Sequence, residues 1–177
     1  MRQRIMESPQ EWYQCAKAGS AAVRRTYELP QFHRRGLPRL SVYHLPSFQD
    51  CYGWTVYQLR GEADYKLQTV IWRQSADGQR MEDLMSGRIT HTAPEPTLEE
   101  FIAGIEAEWF KKQLAALSEI RIPLVVNRPI GCDGESFGVH VQHQFDVEWW
   151  CDGPPEWASL ANWTYDCIKT FRQSSSG

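Results

Sequence analysis

The sequence predicts an α+β fold, an antiparallel β-sheet with helices packed mainly on one face. Three observations predict it. Short stretches rich in β-branched and aromatic residues succeed one another over residues 39–73, and two more follow residue 134. Apolar residues recur at helical spacing in segments 9–18, 97–118 and 155–172. Blocks of strands separated by single helices are typical of an antiparallel sheet.

Length and composition indicate one domain. The chain has 177 residues, of which 42% are hydrophobic and 23% charged, enough for one packed core. We assign residues 1–173 to this domain and expect the serine-rich end, 174–177, to fray. No apolar run approaches the roughly 18 residues of a membrane span, and the first residues lack a secretory-signal pattern. We therefore expect a cytoplasmic protein with no membrane partner.

The first helix is predicted over residues 9–18. Ser8 and Glu11 form a capping box, in which each side chain bonds the backbone N–H of the other residue. Gly19 is the residue type that most often ends a helix, because it tolerates a left-handed conformation. Residues 20–38 are then interpreted as an ordered connection to the sheet.

Three strands are predicted next, over residues 40–45, 53–59 and 65–73. The last two flank residues 60–64, a connection whose length and composition are typical of an antiparallel hairpin. Residues 75–78 have the composition of a turn, and residues 81–92 show no clean period, so we interpret them as a loop with possible short elements.

A central helix is predicted over residues 97–118. Thr97 and Glu100 form a second capping box, and a broad apolar stripe follows at helical spacing. Residues 122–126 are a short strand candidate near a sheet edge, because the proline in this segment cannot donate to a strand ladder. A final amphipathic helix is predicted over residues 155–172.

Between these helices, strands 136–141 and 146–150 form a hairpin with a restricted register. The apolar residues of both strands lie on one face only if the numbers of each pair of directly opposed residues sum to an even value. A three-residue loop pairs His140 with Asp146, whereas a five-residue loop pairs His140 with Glu148. In both registers the imidazole lies opposite a carboxylate.

The other face of this hairpin is the candidate binding site. It presents an imidazole, two carboxylates and an indole together, from His140, Asp146, Glu148 and Trp150. The chain is tryptophan-rich, with eight indoles, most of which fit the predicted core. The alternative is an ordinary solvated face, which antiparallel sheets often have.

Short motifs of the common hydrolase, nucleotide and metalloprotease classes are missing, so we assign no cofactor. The five cysteines are odd in number, scattered and never spaced as C-x-x-C, which indicates reduced thiols and no metal site. His140 and His143 are three residues apart on an extended strand, so their rings point to different sides and are not expected to bind a metal.

Charge is unevenly distributed along the chain. Residues 1–39 contain eight Lys or Arg against three Asp or Glu, whereas the remainder contains eleven against nineteen. A basic segment can bind nucleic acid, but the arginines over residues 24–39 are few and separated. We favour the interpretation that this segment packs against its own acidic body.

The C-terminal part resembles a group of bacterial proteins of unknown function. Their pattern is D-G-x-x-aromatic, a hairpin, W-W, and G-P-x-E-W at the start of a helix. The matching residues here run from Asp133 to Val139 and from Trp149 to Trp157, within a similar segment over residues 129–163. The resemblance implies a bacterial origin and carries no function.

The leading hypothesis is a non-enzymatic binding or interaction protein, of which a toxin-neutralising immunity protein is one example. The alternative is an enzyme acting on a small polar molecule, with His140 and either Asp146 or Glu148 as acid–base groups. A third interpretation, nucleic-acid binding through residues 24–39, requires those arginines to lie exposed on one face. The oligomeric state is not predicted.

Overall fold

The computed structural model describes residues 2–28, 36–59, 61, 64–89, 95–123, 126, 133–142 and 144–175. Its strands are β1 Gly36–Pro46, β2 Cys51–Leu59, β3 Tyr65–Trp72, β4 Leu98–Ile105, β5 Glu135–Val141 and β6 Phe145–Trp150. Its α-helices are α1 Arg2–Arg24, α2 Gln74–Met85, α3 Ala107–Glu119 and α4 Ala158–Ser175, with short 3-10 turns at Thr26–Glu28 and Pro155–Trp157.

The six strands form one sheet in the order β4-β3-β2-β1-β5-β6, and every neighbouring pair is antiparallel. Strands β1 to β4 follow one another across the sheet. The β5–β6 hairpin then joins the free side of β1, where Leu40 lies opposite Val141. This arrangement confirms the predicted α+β class with an antiparallel sheet.

The larger core lies between one face of the sheet and helices α3 and α4. Alternate strand residues point into it, and α4 contributes side chains three or four residues apart, as a helix with one buried face requires. Its fully buried members include Leu40, Trp54, Leu67, Val139, Phe110, Leu160 and Phe171.

A smaller core on the opposite face packs α1 against β1, β2 and β3. It contains Val23, Tyr43, Cys51 and Trp72. The sequence predicts helices mainly on one face, and the structure adds this second helical layer. Helix α1 also continues through Gly19, where a Cβ would lie 2.3 Å from the Trp72 ring. The glycine therefore permits close packing of helix on indole rather than ending the helix.

The predicted helix over residues 97–118 is wrong over its first half, which is strand β4. Leu98 pairs with Trp72 and Ile105 with Tyr65, so the strand satisfies the outer backbone groups of β3. Phe101 and Ile102, placed in the helical stripe, remain 42% and 46% exposed. The apolar spacing of this segment fits a helix as well as a strand, and backbone pairing with β3 selects the strand.

Two further segments differ from the sequence predictions. Helix α2, Gln74–Met85, replaces the turn predicted over residues 75–78 and extends into the segment 81–92, of which residues 90–92 lie outside the described residues. Residues 121–123 and 126 form no strand, and the rest of the strand candidate at 122–126 lies outside the described residues.

Helix α4 includes the first two residues of the predicted frayed tail. The hydroxyl of Ser174 donates to the carbonyl of Thr170 at 3.1 Å, and that of Ser175 to Phe171 at 2.8 Å. Ser175 Oγ also lies 2.7 Å from Thr69 Oγ1 on β3, which ties the helix end to the sheet.

The four described cysteines, Cys15, Cys51, Cys151 and Cys167, are free thiols, and Cys132 lies outside the described residues. Within the described ranges, no helix combines the length and the apolar character that a membrane crossing needs.

Candidate functional site

The register of the β5–β6 hairpin places the predicted site residues on one face. Val141 pairs with Phe145 and His140 with Asp146, the register of the predicted three-residue loop. Because paired residues and alternate residues share a side of the sheet, all four predicted side chains project together. We call this surface the hairpin face, formed by His140, Asp146, Glu148 and Trp150.

Two side chains from the end of the first helical segment also reach the hairpin face. The Tyr27 ring stacks on the His140 imidazole, with centroids 4.1 Å apart and planes 2° from parallel. Arg24 forms an ion pair with Glu148 and donates to the Tyr43 hydroxyl at 3.2 Å. The sequence indicates Arg24 only as part of the basic segment 24–39 that packs against an acidic body, and it does not indicate Tyr27.

The charged groups of the hairpin face differ in accessibility. The side chain of Asp146 is 72% exposed and that of His140 21%, and their nearest N and O atoms are 3.8 Å apart. Burial raises the pKa of Tyr43, and the nearby Glu148 adds to that effect, so the phenol stays protonated. Asp146 is thus the charge that an approaching molecule meets first.

Two cavities lie elsewhere in the described part of the chain, and neither is lined by a residue of the hairpin face. The smaller has a volume of about 360 Å³ and lies between the end of α3 and the tip of the β5–β6 hairpin; its walls include Arg39, Leu114, Leu117, Ile120 and Phe145. The predicted site residues thus line neither of these two cavities.

The larger cavity, of about 720 Å³, was not anticipated from the sequence. It lies beside the larger core, between the β1–β2 turn and the last turn of α4. We call it the His44 cleft, lined by His44, Phe48, Asp50, Tyr52, Trp54, Thr69, Arg73, Phe101, Arg172 and Ser175 among others. These residues come from four separate stretches of the chain, within 44–54, 69–75 and 172–175 and at 101, so no local motif marks them.

His44 is held between two charged side chains. Its Nε2 lies 2.5 Å from a Glu135 carboxylate oxygen, and its Nδ1 lies 3.2 Å from Arg172 Nη2. Because a guanidinium can only donate, Nδ1 accepts and the proton resides on Nε2, which donates to Glu135. Burial lowers the pKa of His44; Glu135 opposes this and Arg172 adds to it, which leaves the pKa below its ordinary value.

No three His, Cys, Asp or Glu side chains within the described ranges converge as a metal-binding group would. Comparisons with protein-family models, with curated proteins and with solved structures found no match. Function must therefore be argued from the chemistry of the hairpin face and the His44 cleft.

Proposed function

We propose that this protein is a non-enzymatic binding protein and that a protein partner docks on the hairpin face. The observation that carries the proposal is the projection of aromatic and acidic side chains from one rigid strand pair, with Asp146 largely exposed. Tyrosine and tryptophan are enriched among the residues that dominate binding energy at protein interfaces. Tyr27 and Trp150 supply such residues beside the carboxylates.

The charge of this surface favours a basic partner. Asp146 is accessible, and Glu148 forms an ion pair with the chain's own Arg24, for which an arginine of the partner can compete. Complementary charge accelerates encounter and selects the partner. A bacterial cytoplasmic immunity protein that covers a basic toxin surface is the kind of protein that this arrangement suits.

The enzyme alternative, with His140 and either Asp146 or Glu148 as acid–base groups, has less support. In its favour, His140 Nδ1 makes no hydrogen bond within the described residues and lies 3.8 Å from Asp146. However, Tyr27 covers one side of the ring, and the hairpin face lines neither cavity. Catalysis on a small substrate benefits from a water-excluding pocket, so partner binding fits this surface better.

The test compares two charge reversals on exposed carboxylates. The protein and its Asp146→Lys and Asp166→Lys variants are used to capture partners from the native host, and any captured protein is then purified and titrated. Asp166 is an exposed residue of α4 and serves as the control. We expect Asp146→Lys to weaken binding by about tenfold or more, the loss typical of an interface charge with a basic counterpart.

Trp150→Ala provides a second, uncharged test of the same surface. We expect a comparable loss of affinity, because truncated interface tryptophans commonly cost about 2 kcal/mol or more. A purified partner that binds both hairpin-face variants as tightly as the Asp166→Lys protein would show that this surface is not the docking site.

A further inference from the structure

We propose that the smaller cavity, between the end of α3 and the tip of the β5–β6 hairpin, binds a small aliphatic monocarboxylate whose carboxylate contacts Arg39. We call it the Arg39 cavity; its volume of about 360 Å³ falls within the range of small-molecule sites. It adjoins the larger core and contains no residue of the hairpin face. Binding at either site can therefore be present without binding at the other.

The walls of the Arg39 cavity are mainly aliphatic. Because most of the apolar wall residues are only partly buried, they pack against the edge of the larger core and keep apolar surface that a ligand can cover. These partly buried residues are Leu114, Leu117, Ile120, Ile122, Val141 and Phe145. Phe145 is the one aromatic ring among the described wall residues, so a flat ligand finds no second ring to stack on. The walls match a flexible saturated chain better than a planar ring.

A β-bulge in β1 directs the Arg39 side chain to this side of the sheet. The register of β1 on β2 shifts between Pro38 and Leu40, which leaves Arg39 as the extra residue of the bulge. In a regular strand its side chain would project to the face opposite Leu40, whereas a bulge re-aims the side chain. Arg39 accordingly lines the cavity together with Val141, beside the larger core that contains Leu40.

Arg39 brings an unbalanced positive charge into the cavity wall. The residue is partly buried, and its one hydrogen bond in the described part of the chain is from Nη2 to Gln58 Oε1, at 2.8 Å. Because glutamine is neutral, this bond does not compensate the charge, and further guanidinium N–H groups remain available. A partly buried cation is stabilised by a counter-ion, and the planar guanidinium matches the two oxygens of a carboxylate.

Neutral groups make up the rest of the cavity wall. Gln142 and Gln144, at the tip of the hairpin, carry amide groups that can donate to a ligand oxygen. The carbonyls at the end of α3 carry partial negative charge, but Arg121 donates to that of Ser118 at 2.6 Å. No described wall residue is an Asp or Glu. One guanidinium without competing carboxylates matches a single negative charge rather than a phosphate dianion.

The His44 cleft, although larger, offers no comparable charge. Its Arg73 is paired with two carboxylates, at 2.7 and 2.6 Å. Its Arg172 donates to His44 Nδ1 at 3.2 Å and lies over the Tyr52 ring, 5.2 Å from the centroid. Both guanidiniums are engaged by the protein's own groups. Of the two cavities, the Arg39 cavity is therefore the one suited to an organic anion.

The experiment titrates the protein with octanoate and follows the methyl signals of Leu117, Ile120 and Ile122 by NMR. We expect these signals to shift with a Kd of roughly 0.1–1 mM, as is reasonable for a probe of this size. Butyrate should bind at least tenfold more weakly, because each buried CH₂ strengthens binding by up to about fourfold. Octan-1-ol, which keeps the chain and lacks the charge, should bind about tenfold more weakly than octanoate, and octylammonium more weakly still.

Three variants separate recognition from folding. Arg39→Gln should weaken octanoate binding about tenfold and leave octan-1-ol binding unchanged, whereas Lys112→Gln, which removes an exposed positive charge from α3, should change neither. Arg39→Lys keeps the charge and should retain most of the affinity for octanoate. An unshifted methyl signal of Val23, in the smaller core, verifies that each variant is folded.

Three results would each overturn the proposal. The first is that octanoate shifts none of the three cavity methyl signals. The second is that octan-1-ol binds as tightly as octanoate, which would show that Arg39 does not recognise the acid. The third is that Arg39→Gln and Lys112→Gln bind octanoate equally well.

Discussion

Replacing Asp77 by asparagine tests a buried carboxylate that connects four parts of the structure. Its side chain has no exposed surface and pairs with Arg80 at 2.8 Å. It accepts hydrogen bonds from the Trp72 indole N–H at 2.8 Å and from the Thr97 backbone N–H at 2.9 Å. The Cys15 thiol of α1 lies 3.5 Å away. Asp77 thus holds α1, α2, β3 and the start of β4 together.

The expected loss of stability follows from the interactions of the carboxylate that an asparagine amide cannot make. Trp72 and Thr97 both donate to Oδ2, so an asparagine with its carbonyl oxygen at that position keeps both bonds. Its NH2 group then faces the Arg80 guanidinium, donor against donor, and loss of the Arg80 hydrogen bond to Oδ1 costs about 1–3 kcal/mol. Breaking a fully buried ion pair costs about 3–5 kcal/mol. Arg80 is 35% exposed at its side chain and can regain water, so this contribution is smaller here. We expect Asp77→Asn to lower the free energy of unfolding by about 2–4 kcal/mol.

Urea unfolding followed by tryptophan fluorescence at pH 7 measures the effect. Glu82→Gln removes an exposed carboxylate from the same helix and should change stability by less than about 0.5 kcal/mol. If Asp77→Asn costs no more than this control, the carboxylate does not organise the junction and the reasoning is refuted.

The pH dependence provides an independent check. Burial raises the pKa of Asp77, but hydrogen bonds from Thr97 and Trp72 and the charge of Arg80 outweigh it and hold the pKa below its ordinary value of 3.8. A depressed carboxyl pKa contributes stability above pH 3.8 that is lost as pH falls through the lower folded value. The stability difference between the native protein and Asp77→Asn should therefore shrink in acid.

Three further predictions concern packing and thiol chemistry. Trp157→Ala should cost about 3–5 kcal/mol by chemical denaturation, because the indole is 2% exposed; a loss below about 1 kcal/mol would contradict its role as a core anchor. A Cβ at Gly138 would lie 2.1 Å from the Tyr43 ring, so Gly138→Ala should lower the melting temperature, whereas Gly104→Ala, with open space around it, should not clash. Among the described cysteines, Cys151 should react first with a thiol reagent in the native protein. The other three thiols are buried, and burial raises their pKa values to about 11 or 12. Equal reaction rates for all four thiols would contradict this prediction.

The strands that sequence reasoning located are those with strong local signals. β2 and β3 are joined by a short polar connection. In the β5–β6 hairpin, the apolar residues share one face only in registers where the numbers of opposed residues sum to an even value, and the observed pairing of His140 with Asp146 is one of these. Such features are encoded within about fifteen residues, so the hairpin face can be predicted from local sequence.

The errors arise where distant packing decides the structure. Phe101 and Ile105 fit a helical stripe as well as a strand, and only the open side of β3 selects the strand. Gly19 is a common helix terminator, yet the Trp72 indole requires a small helical residue there. The His44 cleft lies beyond sequence reasoning for the same reason, since Arg172 meets His44 only after α4 docks.

The central place of β1 has a consequence for the growing chain. During synthesis, β1 to β4 emerge and can pair before β5 has been made. Until then the backbone groups on one side of β1 remain unpaired, and Leu40 and Val42 are not yet covered. An open strand edge of this kind is a template for aggregation. We expect a nascent chain or fragment that ends before Glu135 to aggregate or recruit chaperones, and the C-terminal hairpin to act as the segment that closes the sheet against self-association.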